Sequence, residues 1–158
     1  MTPAPILAAL LALAPWHGDR SLSRAEREAM LRPVAEAIAA ASRTREDAAF
    51  LVTQGWFESK YARAVLSGHC DEMPRGMRCD PDRNGVPRAR GAWQLWSFCK
   101  ATDVNGEARC VLGTAHLGLQ RCGSWDAAFG ALTGRWACTM RPERTHLMRK
   151  ILAGWGKR

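Results

Sequence analysis

Tyrosine occurs once in the 158 residues, at Tyr61, so no second phenol can stand in for it in any role. Acidic residues are also few, fifteen against twenty-three Lys and Arg, which leaves a formal charge of +8. A surface of that sign attracts polyanions or an anionic envelope through long-range attraction, without saying which. No apolar run is long enough to cross a bilayer; the best candidate, from Ile6 to Ala14, is too short. Alternation at period two is almost absent, which confines any sheet to something small. The chain also lacks an internal repeat, a Ser nucleophile elbow, a phosphate-cradling glycine loop and any CxxC spacing.

What is present is an ordinary globular composition, 47% hydrophobic and 24% charged, in a length that suits one domain. Six cysteines, Cys70, Cys79, Cys99, Cys110, Cys122 and Cys138, all fall in the second half. An even number so spread favours three disulfides and an oxidising compartment, secreted or periplasmic, by a route the sequence leaves open. Proximity along the chain favours Cys70 with Cys79, Cys99 with Cys110, and Cys122 with Cys138. The competing arrangement is a metal site of His69, Cys70, Cys79 and Cys99, for which paired short ligand spacings are missing; no metal or other cofactor is expected. Residues 1–22 form an apolar N-terminal segment, either an atypical export signal or a short amphipathic helix, and residues 23–158 a single domain.

The periodicity is helical. Ser23 and Glu26 form a capping box that opens a helix with Leu31, Val34, Ala35 and Ile38 on one face, which Pro33 should kink or restart. Thr44 and Asp47 open a second helix, through Phe50, Leu51, Phe57 and Tyr61 to about Leu66. From Ser67 to Arg90 the composition turns to Gly, Pro, Asp, Asn and Arg, a long loop or small hairpin stiffened by its two cysteines. Asn105-Gly106 reads as a turn before a helix carrying Val111, Leu112, Ala115 and Leu119. Ser124 caps another helix to about Leu132, and Pro142 stands near the start of the last. The fold class is mainly α.

On the second helix Glu58 lies within the stripe of Phe50, Leu51, Phe57, Tyr61 and Val65, whereas Thr53, Ser59 and Lys60 occupy other faces. An inward carboxyl beside aromatic rings loses hydration and is suited to donate a proton near neutral pH. The plainer alternative is a Glu at the rim of the stripe or one paired with a buried Arg.

The string Q-G-W-F-E-S-K-Y, Gln54 to Tyr61, resembles the Glu-Ser motif of the lytic transglycosylases and goose-type lysozymes, and G-A-W-Q-L-W, Gly91 to Trp96, is similar to their second motif. The resemblance covers roughly Arg45 to Cys138. It implies a lysozyme-like helical domain that cleaves the β-1,4 bond between N-acetylmuramic acid and N-acetylglucosamine in peptidoglycan. In that reading Glu58 is the catalytic acid, and Ser59, Tyr61, Gln94, Trp93 and Trp96 are substrate-binding. The muramyl 6-hydroxyl then closes on the anomeric carbon to give an anhydro product, or water attacks with help from a second carboxylate. Asp71, Glu72, Asp80 and Asp82 on the intervening loop are candidates for that carboxylate, although solvated loop charge is their commoner role.

One departure stands out. Where the family has Ala-Tyr-Asn and Gly, this chain reads F-G-A-L-T-G, with Leu132 and Thr133 in place of Tyr and Asn. The implied partners are peptidoglycan glycan strands and an anionic envelope surface, with the chain acting as a monomer. His69, His116 and His146 lack a catalytic partner at recognisable spacing. The rival functions are a non-catalytic peptidoglycan-binding module of the same fold, a nucleic-acid binder and a cationic membrane-disrupting protein. Scattered Lys and Arg without interleaved aromatics argue against specific nucleic-acid binding.

Overall fold

The structure, a computed structural model, describes residues 1–68, 91–94, 99, 101, 103–131 and 138–156. Every regular element among them is helical: α1 Pro3–Ala12, α2 Arg24–Ala41, α3 Arg45–Ser59, α4 Arg63–Leu66, α5 Val104–Cys122, α6 Trp125–Ala131 and α7 Pro142–Trp155, with a 3-10 turn at His17–Asp19. The expected hairpin, Cys70 and Cys79 lie outside the described residues. None of the described helices is long and apolar enough to cross a membrane.

Both capping boxes form. Ser23 Oγ accepts from the Glu26 N–H at 3.2 Å and the Glu26 carboxylate accepts from the Ser23 N–H at 2.8 Å, satisfying two donors that the start of α2 leaves open. Thr44 and Asp47 repeat the arrangement at α3. Asp47, buried, also accepts from His116 at 2.8 Å, which supplies the ordinary structural role expected of that histidine. Burial opposes the Asp47 charge, but the His116 bond and two backbone N–H groups outweigh it and hold the carboxyl below its usual range.

Three boundaries differ from expectation. Pro33 does not interrupt α2; it lies on the solvent face, where water can hydrate the carbonyl that loses its partner. Asn105 and Gly106 fall inside the first turn of α5, because Asp103 is the cap and accepts from the Gly106 N–H at 2.7 Å. Most consequential, α3 stops at Ser59. Lys60 and Tyr61 both turn left-handed, at φ 53° and 50°, and the chain restarts as the single turn of α4.

One large apolar cluster takes buried side chains from every helix but α4, whose Leu66 packs against its edge. α3 is its axis: every residue from Asp47 to Gly55 is buried, and Phe50 stacks on Phe129 with ring centroids 4.4 Å apart. α1 contributes to this core, with Ile6 and Leu10 fully enclosed and the Trp155 indole donating to Pro5 O at 3.2 Å. Two disulfides take the expected pairs, Cys99–Cys110 and Cys122–Cys138, with Cα separations of 6.2 and 5.4 Å. The first pins the chain after the G-A-W-Q turn to α5, and removes Cys99 from any metal set. The second ties the end of α5 to the segment leading into α7.

Candidate functional site

The site is built at the C-terminal end of α3, where the helix is forced to stop. Gly55 permits this: a Cβ there would fall on the Tyr61 ring, so the ring lies directly on the helix backbone. The Tyr61 hydroxyl donates to Val52 O at 2.9 Å, and burial pushes its phenol well above the usual range, so the proton stays on this donor. Reversing the chain this tightly requires the left-handed backbone at Lys60 and Tyr61, a conformation that costs a non-glycine residue of order 1–2 kcal/mol.

Ser59 then joins the two sequence motifs. Its Oγ lies 2.7 Å from Ala92 O and 2.9 Å from Gly55 O, and accepts from the Tyr61 N–H at 3.1 Å. Trp93 adds a second tie, its indole N–H donating to Leu51 O at 2.9 Å. The G-A-W-Q turn is therefore fastened to α3 by two long-range hydrogen bonds. Gln94, at φ 50°, folds its amide back to donate to Gly91 O at 3.0 Å, which is its loop-tying role. Among the described residues the non-glycine positions with positive φ are Lys60, Tyr61 and Gln94, so all of this backbone strain falls in the two motifs.

Ser59, Tyr61 and Trp93 are at most 4% exposed, so they brace the site and do not face a sugar. The resemblance implies a direct substrate contact for these three residues, and here their side chains are enclosed. The physical reason is the all-round burial of α3: Thr53 and Ser59, which helical geometry placed on faces other than the apolar one, are enclosed as well, and facing on this helix does not separate core from solvent. Trp96, Asp71, Glu72, Asp80, Asp82, His69, Leu132 and Thr133 lie outside the described residues.

Glu58 sits at the last turn of α3 with its side chain 29% exposed, at the rim and not deep in the stripe. Oε1 accepts from Gln54 Nε2 at 2.9 Å and from Arg144 Nη1 at 2.8 Å, and the same guanidinium nitrogen donates to Gln54 Oε1 at 2.5 Å. The ion-paired alternative is thus the arrangement present. Arg144 comes from the first turn of α7, its guanidinium 4.9 Å from the Phe57 ring centroid, while Lys60 Nζ lies 5.0 Å from the same ring and 4.7 Å from Trp56. Burial first, then the charge of Arg144, lower the Lys60 ammonium below its usual range, and Glu58 partly offsets them. A cavity beside Trp16 and another between α1 and α7 are both lined by residues other than Glu58.

A carboxylate that sequence reasoning missed lies on the other side of the G-A-W-Q turn. Glu107 of α5 accepts from the Ala92 N–H and occupies the space where a side chain at Gly91 would begin, so Gly91, at φ 69°, must be glycine for two reasons. Burial, with a smaller push from Asp103, raises Glu107 from 4.5 to about 7 despite the Ala92 bond. The signal for it was present: Glu107 stands one turn before Val111, on the inward face of α5. Arg144 carried no such signal, being 86 residues from its partner.

The sign of the Glu107 effect follows from linkage. A carboxyl that titrates higher folded than unfolded contributes stability fully below the unfolded value, and that contribution is lost as pH rises through the folded one. The melting temperature should therefore carry a component that falls between about pH 4.5 and about pH 7. Glu107→Gln should flatten that component in thermal melts, because the amide oxygen still accepts from Ala92; an unchanged profile would show that Glu107 titrates normally.

Comparison with protein-family models, with curated proteins and with solved structures finds no match.

Proposed function

We propose that this protein cleaves the β-1,4 glycosidic bonds of peptidoglycan, with Glu58 as the proton donor to the bridging oxygen. The observation that carries the reading is the Ser59–Ala92 bond, 2.7 Å long across 33 residues of sequence. It brings the Glu-Ser string and the G-A-W-Q string, each weak alone, into one rigid constellation beside a part-exposed carboxylate. The three left-handed non-glycine residues support the same reading, since strain of this kind persists where a site over-determines its backbone.

In this mechanism Glu58 leaves Arg144 when a strand docks, takes up a proton from solvent, passes it to the leaving oxygen, and accepts a proton from the nucleophile in the second half of the reaction. Ser59, Tyr61 and Trp93 hold the carbon frame, so that the donor stays within the small tolerance that proximity catalysis demands. The two disulfides, together with the +8 charge, suit a protein working at an anionic wall outside the reducing cytosol.

Mass spectrometry of digested wall tests the proposal. Muropeptides with a reducing end indicate a muramidase, and products lighter by one water indicate a lytic transglycosylase. Wall that stays intact with folded protein bound to it would instead support the second reading, a non-catalytic wall-binding module. That reading draws on the Glu58–Arg144 pair, which is how a carboxylate with only a structural task is commonly found.

A further inference from the structure

Arg144 is placed at a cost that its own helix does not explain. It stands in the first turn of α7, where the helix dipole disfavours a cation, behind an Arg141 that makes no side-chain capping bond. Its side chain is only 14% exposed, yet it meets Glu58 through a single nitrogen, Nη1, which it also shares with Gln54. Lys60, which completes the group, is set there by a strained left-handed backbone rather than by helix propensity.

Among the described residues, two cations flank the Phe57 ring and one carboxylate answers them, an excess of one positive charge. Burial first, and then repulsion from the Arg144 charge, lower the Lys60 ammonium below its usual range. An incoming anion relieves that repulsion, and a carboxylate suits it best, because a guanidinium presents a planar fork that matches two carboxylate oxygens.

We propose that Arg144 and Lys60 form a carboxylate-binding subsite that selects acidic glycans, and that the substrate carboxylate draws Arg144 off Glu58 and frees it to act. The second half of this statement rests on the Glu58 reading above; the first half does not. On a neutral strand nothing competes for Arg144, and Glu58 stays paired. On an acidic strand the guanidinium exchanges one carboxylate for another, so the ion pair is never lost and the opening costs little. Arg144 is then a specificity-determining residue, and Glu58 keeps the chemistry.

The test uses three soluble strands of equal length: a neutral N-acetylglucosamine oligomer, a muramic-acid strand stripped of peptide, whose lactyl group bears the carboxylate, and the same strand with its peptides. For the intact protein, kcat/KM should favour the acidic strands; preference for the stripped strand places the carboxylate on the sugar, and preference for the peptide-bearing strand places it on the peptide. Arg144→Met should lower kcat/KM on the preferred acidic strand about tenfold or more, chiefly through KM, while its kcat on the neutral oligomer rises above that of the intact protein. Arg144→Lys should keep part of the preference. A purely structural role for Arg144 predicts equal losses on all strands, and that result overturns the subsite. Should Arg144→Met not fold, Lys60→Met replaces it, with a raised KM for acidic strands as the expected result and unchanged discrimination as the contrary one. If the intact protein cleaves no strand, the catalytic reading falls alone. The subsite is then judged by calorimetric binding, where tighter binding of acidic strands that Arg144→Met abolishes supports it, and equal binding of neutral and acidic strands overturns it.

Discussion

Glu58→Gln should abolish wall lysis, by about a hundredfold or more, while the protein still sediments with insoluble wall. The amide keeps the shape of the carboxyl and can still accept from Arg144 and Gln54, so the geometry at the end of α3 should survive. What disappears is the transferable proton. Turbidity loss of a wall suspension and a co-sedimentation assay on the same preparation separate the two consequences, and a thermal melt confirms that the variant is folded. Lysis at the rate of the intact protein would remove Glu58 from the chemistry. Loss of lysis together with loss of binding would mean that the carboxylate holds the site together instead of acting in it.

Removing residues 1–15 should unfold the protein at ordinary temperature. Ile6, Leu7 and Leu10 are buried, with α1 packed on α2 and α3, and the Trp155 indole loses its bond to Pro5. Three such side chains represent about 5–9 kcal/mol of apolar burial. The whole stability of a domain of this size is about 5–15 kcal/mol. A chain starting at Trp16 should therefore lose its cooperative melting transition and bind a hydrophobic dye. A transition that stays within a few degrees of the intact protein's would show that α1 is an appendage. The experiment also bears on how residues 1–22 are understood, because an apolar stretch that suits an export signal by composition is here a wall of the core.

Much of the helical framework was legible because its causes are local. Ser23 with Glu26 and Thr44 with Asp47 satisfy orphan donors three residues apart, Ser124 accepts from the Ala127 N–H, and Pro142 needs no donor at the start of α7. The Cys99–Cys110 and Cys122–Cys138 pairings also followed from short separations. The errors have equally local explanations. Asp103 competed with Asn105-Gly106 for the start of α5 and prevailed because its side chain reaches the Gly106 N–H. Pro33 was tolerated because it faces water.

The site was less legible, for a different reason. Periodicity treats a helix as having one wet face, and α3 has none between Asp47 and Gly55, so Glu58 was placed inward when it stands at the rim. Motif likeness identified which residues to watch but not what they do: Ser59, Tyr61 and Trp93 turned out to be fasteners.

By itself, then, the sequence determined the mainly helical class, the capped ends, the two observed disulfides and the neighbourhood of Glu58, since each depends on residues within a few turns of one another. Only the tertiary structure decided that α3 breaks after Ser59, that Glu107 grips the G-A-W-Q turn and that Arg144 answers Glu58. The last two contacts span 15 and 86 residues of chain, and no local propensity encodes them; they exist because packing of the core brings α5 and α7 to the end of α3.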